Sequence, residues 1–233
     1  MNFWQQNRLP LSWKDGNITH LWMAADNEKN FADNPIVKWQ GVKISYQYNA
    51  NGFRTHELSD FLGKEVNIAL GCSFTEGVGV PIENAWPSLI EQKLNMPLLN
   101  LGLSGGSTDT VARILTNIAG LFKIKQVFIL WPETHRFEFY DEHKNEIYCR
   151  GPWNTSENYI WNMSNGNSLQ RLYKNKNIVD LLSKCHGFEV IELTIENALK
   201  AIPRVDPARD NMHFGITPNI ELAEWFLSLI KSR

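Results

Sequence analysis

Ser73, Asp210 and His213 are the residues of this 233-residue chain whose types and settings suit nucleophilic chemistry. A hydroxyl can attack, an imidazole can take its proton, and a carboxylate can orient the ring and stabilise its charged form. Ser73 stands at the end of "VNIALGCS", where an apolar run meets a Gly-Cys-Ser-Phe-Thr turn. In an open parallel sheet, ligands bind beyond the carboxyl ends of the strands, so a serine just past such a strand occupies the functional edge. Ser73 and Thr75 equally suit hydrogen bonding within the turn, the ordinary role of Ser and Thr there. Asp210 and His213 lie in "ARDNMHFG", just before the last helical pattern. Residues three apart in a helical turn project to one side, so the carboxylate can accept from one ring nitrogen while the other faces outward. An isolated Asp-x-x-His is also compatible with a solvated loop and a capping carboxylate.

Other motifs compete for attention. "GLSGG", Gly102–Gly106, satisfies Gly-x-Ser-x-Gly, which makes Ser104 a rival nucleophile. That elbow belongs with a His-Gly-Gly-type oxyanion loop and several preceding strands, which this sequence lacks, so Ser73 is preferred. Gly77-Val78-Gly79 has no third fingerprint glycine and no Gly-Lys-Ser/Thr follows, so nucleotide binding has no support. His20, His56, His143 and His186 have no ligand partners at metal spacings, and Cys72, Cys149 and Cys185 form no CxxC pair. Arg54 in "NGFRT" is read as packing its turn, near the site only if that hairpin folds across it.

The elements that must position Ser73 and His213 are legible from Val66 onward. Strand "VNIALGCS", helix "NAWPSLIEQKL", strand "PLLNLGL", helix "STDTVARILTNIAGLF" and strand "KQVFILW" alternate, which predicts a parallel sheet with crossover helices. Ser107 or Thr108 is the expected cap of the second helix. Further on come helix "LQRLYKNKNIVDLLSKCHG" with Gly187 as C-cap, strand "FEVIELTI", and helix "TPNIELAEWFLSLIKS" with Thr217 as N-cap and Pro218 as its first residue. Upstream, "VKISYQYNANGFRT" alternates, putting Ile44, Tyr46 and Tyr48 on one face before an Asn51-Gly52 turn. The aromatic, turn-rich segment 137–168 is an expected excursion from the sheet. Residues 1–40 carry Trp4, Trp13, Trp22 and Trp39 without clear periodicity and read as a cover over the core or as a sugar-stacking surface. The domain proper is then 41–233.

These segments resemble the SGNH hydrolases, the GDSL esterases and lipases. Gly71-Cys72-Ser73 with Phe74-Thr75 is similar to the family's nucleophile block, "NLGLSGGS" to its glycine turn, and Asp210-x-x-His213 to its last block. The resemblance covers roughly Lys43 to the end and implies a three-layer α/β/α sandwich with a mainly parallel, flavodoxin-like sheet. It also implies an esterase or acyltransferase acting on a short acyl ester, such as an acetylated carbohydrate, with Ser73 as nucleophile and the amides of Ser73 and Gly105 as oxyanion donors. No cofactor or metal is expected. One block departs from the family: "LWPETHRFE" stands where an asparagine oxyanion donor belongs, and Arg136 and Thr134 are the candidates there for binding substrate. Arg136 also suits a simple ion pair with Glu133 or Glu138. A non-catalytic glycan- or partner-binding module is the alternative from another class.

Composition narrows the remainder. A net charge of −2 with interspersed signs offers no basic stripe for nucleic acid. The N-terminus has no positive segment followed by an apolar one, and no apolar run reaches bilayer length, so a cytoplasmic protein is expected.

Overall fold

The computed structural model describes residues 11–141, 143, 146–153, 165–203 and 205–231. Trp4 and part of the 137–168 segment lie outside the described residues. The first described elements are a short strand β1 (Thr19–His20), helix α1 (Glu28–Asp33) and strand β2 (Tyr46–Gln47), β1 and β2 pairing antiparallel. A strand β3 (Glu65–Leu70), the short helix α2 (Ser73–Glu76) and helix α3 (Trp86–Leu94) follow. Strand β4 (Leu98–Asn100), helix α4 (Thr108–Ile118) and strand β5 (Lys123–Trp131) complete the first half.

The second half opens on an antiparallel pair, β6 (Phe137–Asp141) and β7 (Glu146–Arg150), that stands apart from the main sheet. It ends with helix α5 (Asn165–His186), strand β8 (Glu189–Thr194), helix α6 (Ile195–Ala201) and helix α7 (Ile216–Lys231). Among the described residues no helix is long and apolar enough to cross a membrane.

Four strands, in the order β4-β3-β5-β8, make one parallel sheet. Both faces are covered, which is why β3 and β5 read as nearly continuous apolar runs. Val66, Ile68, Leu70, Val127, Ile129 and Trp131 pack into a layer with α4 and α5 through Val111, Ile114, Leu115 and Val179. Their alternate neighbours Ala69, Phe128 and Leu130 pack into the opposite layer with Trp86 and Ile90 of α3 and Leu222 and Phe226 of α7. Trp86 and Phe226 stack at 4.6 Å in that second layer. The result is a three-layer α/β/α sandwich, built on the parallel sheet with crossover helices that the alternating pattern predicts. Burying an aromatic such as Phe226 completely contributes about 1.5 to 3 kcal/mol.

The chain leaves β3 for its neighbour β4 on one side and returns to β5 on the other. A flavodoxin-like order of this kind opens a crevice beyond the carboxyl ends of the first and third core strands, here β3 and β5. Ser73 opens α2, after the two residues Gly71 and Cys72 that follow β3.

Several local expectations are corrected. The last helix starts at Ile216, so Thr217 and Pro218 lie inside its first turn, and the Thr217 amide donates to the Asp206 carboxylate at 2.8 Å. Ile195, the last residue of the expected strand "FEVIELTI", instead opens a seven-residue helix, Ile195–Ala201, directly after β8. By contrast, Ser107 caps α4 with Thr110 in a reciprocal capping box, and the Gly187 amide closes α5 on the Ser183 carbonyl at 2.8 Å.

Candidate active site

His213 lies between Ser73 and Asp210. Its Nε2 is 2.7 Å from Ser73 Oγ, and its Nδ1 makes a very short contact with Asp210 Oδ2. Ser73 and Asp210 are buried, and the ring of His213 packs at 4.6 Å against Phe74, the residue after the serine. Sequence reasoning expected the Asp-x-x-His pair to act through helical spacing, but the segment is a turn with Asn211 at φ 59°. What orients Asp210 is its other oxygen: Oδ1 accepts the backbone N–H groups of Met212 and His213, each at 3.0 Å. Burial pushes the Asp210 carboxyl up, but the hydrogen bond and charge of His213 and these two amides outweigh it. Its pKa falls below the ordinary carboxylate value.

The two loops that carry these residues are drawn together by features the sequence did not flag as functional. Gly79, set aside as half of a nucleotide fingerprint, has φ +80°, and a Cβ there would lie 2.7 Å from Ala208 Cβ and 3.3 Å from Asp210 Oδ1. The Gly79 carbonyl accepts the Arg209 amide at 2.9 Å, so this close approach stitches the serine loop to the Asp210 turn. Arg209 is anchored in turn by Asp26, a residue 183 positions away: Nε and Nη2 reach the two carboxylate oxygens at 2.8 and 2.6 Å. Tyr46 donates to the same carboxylate at 2.5 Å, and the Gly79 amide donates to the Tyr46 hydroxyl at 2.8 Å. Burial first, then the neighbouring Asp26 charge, raises the Tyr46 pKa well above the tyrosine range.

The glycine turn closes over the start of α2. The Leu103 amide donates to the Gly71 carbonyl at 3.1 Å, and Asn100 Nδ2 donates to the Thr75 carbonyl at 2.8 Å. Gly105 has φ +79°. A cavity of about 570 Å³ opens beside it, lined in part by Trp13, Lys14, Ser104, Tyr148 and Trp153. Among the described residues no imidazole bonds the hydroxyl of Ser104, the rival nucleophile, which donates to Glu76 at 2.7 Å.

Arg136 is turned toward Glu133 at 2.7 Å, with its guanidinium 5.3 Å from the Trp153 ring and a long contact, 3.5 Å, to the Gly106 carbonyl. The ion pair foreseen as the simpler role is therefore formed. Thr134 lies two residues away, half-buried in the same connection between β5 and β6. Glu138, the other partner considered for Arg136, instead binds Arg113 through two guanidinium nitrogens at 2.8 and 2.9 Å. Arg54 packs its turn against the loop after α2, donating to the carbonyls of Gly77 at 2.6 Å and Val80 at 3.1 Å.

No protein-family model matches the chain, and no curated protein matches it in sequence. Among solved structures, it is similar to a member of the lipolytic G-D-S-L family from Veillonella parvula, 15% identical with a TM-score of 0.38, over 73% of this chain and 100% of that one. A carbohydrate acetylesterase from Sinorhizobium meliloti is 13% identical with a TM-score of 0.38, over 72% of this chain and 99% of that one. A lipase/acylhydrolase from Enterococcus faecalis is 16% identical with a TM-score of 0.35, over 72% of this chain and 96% of that one. These three solved structures are thus a G-D-S-L lipolytic protein, a carbohydrate acetylesterase and a lipase/acylhydrolase.

Proposed function

We propose that this protein is a serine esterase of SGNH type that hydrolyses or transfers a short acyl group, with an acetyl ester on a carbohydrate as the proposed substrate class. One observation carries the reading: His213 faces Ser73 Oγ at 2.7 Å through one nitrogen and the Asp210 carboxylate through the other. In this geometry Nε2 takes the Ser73 proton as Oγ attacks the ester carbonyl, and Asp210 stabilises the imidazolium that forms. The amides of Ser73 and Gly105 receive the oxyanion. The first amides of a helix have no intrahelical acceptor, which suits the Ser73 N–H to that role. His213 then returns the proton to the leaving alcohol, and water or an acceptor hydroxyl releases the acyl group from Ser73.

The cavity beside Gly105 supports the carbohydrate assignment. Trp13, Tyr148 and Trp153 give it an aromatic lining, while Asp15 and Glu146 add carboxylates that can accept from hydroxyls. Residues 1–40 are, in this reading, a cover whose Ser12–Asp15 stretch lines one side of the cavity beside Gly105 on the 41–233 domain. The test is labelling of the purified protein with a fluorophosphonate and mapping of the adduct. A single adduct on Ser73, abolished in Ser73→Ala and retained in Ser104→Ala, is expected. An adduct on Ser104 would reassign the nucleophile. No label and no turnover of acetylated sugars or p-nitrophenyl acetate would leave the glycan-binding module as the better reading.

A further inference from the structure

Glu76 is a fully buried acid with no part in the proton transfers described above. Four donors converge on its two oxygens. Oε1 makes very short contacts with Lys14 Nζ and the Tyr48 hydroxyl, and Oε2 accepts the Ser104 backbone N–H at 2.6 Å and the Ser104 hydroxyl at 2.7 Å. These four bonds use the full accepting capacity of an ionised carboxylate. Burial disfavours the charge, but the Lys14 cation and the bonds from Lys14, Tyr48 and Ser104 reverse that, holding Glu76 below the ordinary carboxylate range.

The connection matters because of where its ends lie. Glu76 closes the four-residue helix that Ser73 opens, and Ser104 directly precedes Gly105. The loop is close-packed at this point, since a Cβ on Gly102 would lie 2.5 Å from the Glu76 amide nitrogen. One carboxylate therefore joins the helix bearing the nucleophile to the turn bearing the second oxyanion amide. Lys14, which completes the charge balance, comes from the segment before the core, docked by Ser12 Oγ on the Gly52 carbonyl at 3.1 Å. Stability alone accounts poorly for this choice, because a buried ion pair is often no better than apolar residues of similar volume.

We propose that Glu76 is a positioning residue for the esterase reaction: its carboxylate sets the Gly105 amide relative to the Ser73 hydroxyl, and Lys14 holds that carboxylate in place. This rests on the esterase reading. Glu76→Gln is the informative change, because an amide offers one accepting oxygen and one NH2 group to four donors, so donors on one side lose their acceptor. Lys14→Met leaves the carboxylate without its cation.

The experiment measures kcat and KM on p-nitrophenyl acetate, thermal unfolding, and hydrogen exchange of a peptide spanning residues 102–106. Glu76→Gln should lower kcat about 10- to 100-fold with KM within about twofold, short of losing an oxyanion donor outright. Exchange in 102–106 should quicken while the sheet stays protected. Lys14→Met should show the same pattern with a kcat loss of about 3- to 10-fold, and it carries the test if Glu76→Gln does not fold. A folded Glu76→Gln with kcat within twofold of wild type, a kcat loss without faster exchange, or a loss that only follows the folded fraction overturns the proposal. Wild-type protein that neither turns over ester nor takes the fluorophosphonate overturns the esterase reading and this role with it; active wild type with unaffected variants overturns the positioning role alone.

Discussion

Asp210→Asn tests the chemistry with little disturbance of shape, and the structure dictates how the new amide must sit. Asp210 Oδ1 accepts two backbone N–H groups, from Met212 and His213, each at 3.0 Å. An asparagine can satisfy both only by placing its carbonyl oxygen there, which turns its NH2 group toward His213 Nδ1. That nitrogen must then accept, so the ring proton moves to Nε2, the atom 2.7 Å from Ser73 Oγ, and the base is lost. The Coulomb part alone can be bounded: an imidazolium and a carboxylate about 4 Å apart at an effective dielectric near 20 attract by about 4 kcal/mol. At about 1.4 kcal/mol per tenfold that is roughly three decades in rate, and the wrong tautomer brings the expected loss to about 10³- to 10⁴-fold in kcat. Stopped-flow or steady-state hydrolysis of p-nitrophenyl acetate would measure it, with thermal unfolding as the control for fold. Because His213 and the two amides hold the Asp210 carboxyl below its ordinary pKa, Asp210 stays charged through the ordinary carboxylate range. Wild-type activity lost on acidification above that range must therefore reflect another group. A folded Asp210→Asn protein with kcat within tenfold of wild type would refute the assignment of Asp210 as orienter.

Two further changes probe what holds the site together. Gly79→Ala introduces a Cβ at φ +80°, 2.7 Å from Ala208, and should cost about 1 to 3 kcal/mol of stability while lowering kcat by about tenfold or more, as the Asp210 turn is pushed from the serine loop. Unchanged kcat alongside a lowered Tm would show that the close approach serves folding only. Asp26→Asn leaves the buried Arg209 guanidinium without its charged partner and should cost about 3 to 5 kcal/mol, a Tm fall on the order of 10 °C in a chain of this size. A Tm within about 2 °C of wild type would indicate that the Arg209 bonds to the Leu21 and Val42 carbonyls suffice.

Local pattern determined the layered core. The strands and helices from Val66 to Trp131 recur at their predicted places because each buries a periodic apolar set, and periodicity is a local property of the sequence. The Asn51-Gly52 turn and the faces of Ile44, Tyr46 and Tyr48, all buried, were legible for the same reason. The β6/β7 pair was not, since an antiparallel ribbon beside the main sheet leaves Phe139 and Tyr140 exposed and carries no strong alternation. The types of Ser73, Asp210 and His213 were readable, along with their order, because the residues needed for nucleophilic chemistry are few. Their meeting was decided by tertiary structure: Gly79 against Ala208, Arg209 clasped by Asp26, and a turn rather than a helix aiming His213. Glu76 carries no signal in the sequence, because nothing local announces that Lys14, Tyr48 and Ser104 converge on it from segments up to 62 residues away. Residue type and local period are written in neighbouring positions, whereas a site is a set of distances between distant ones, and only the packing of the sheet and its covering segments makes those distances short.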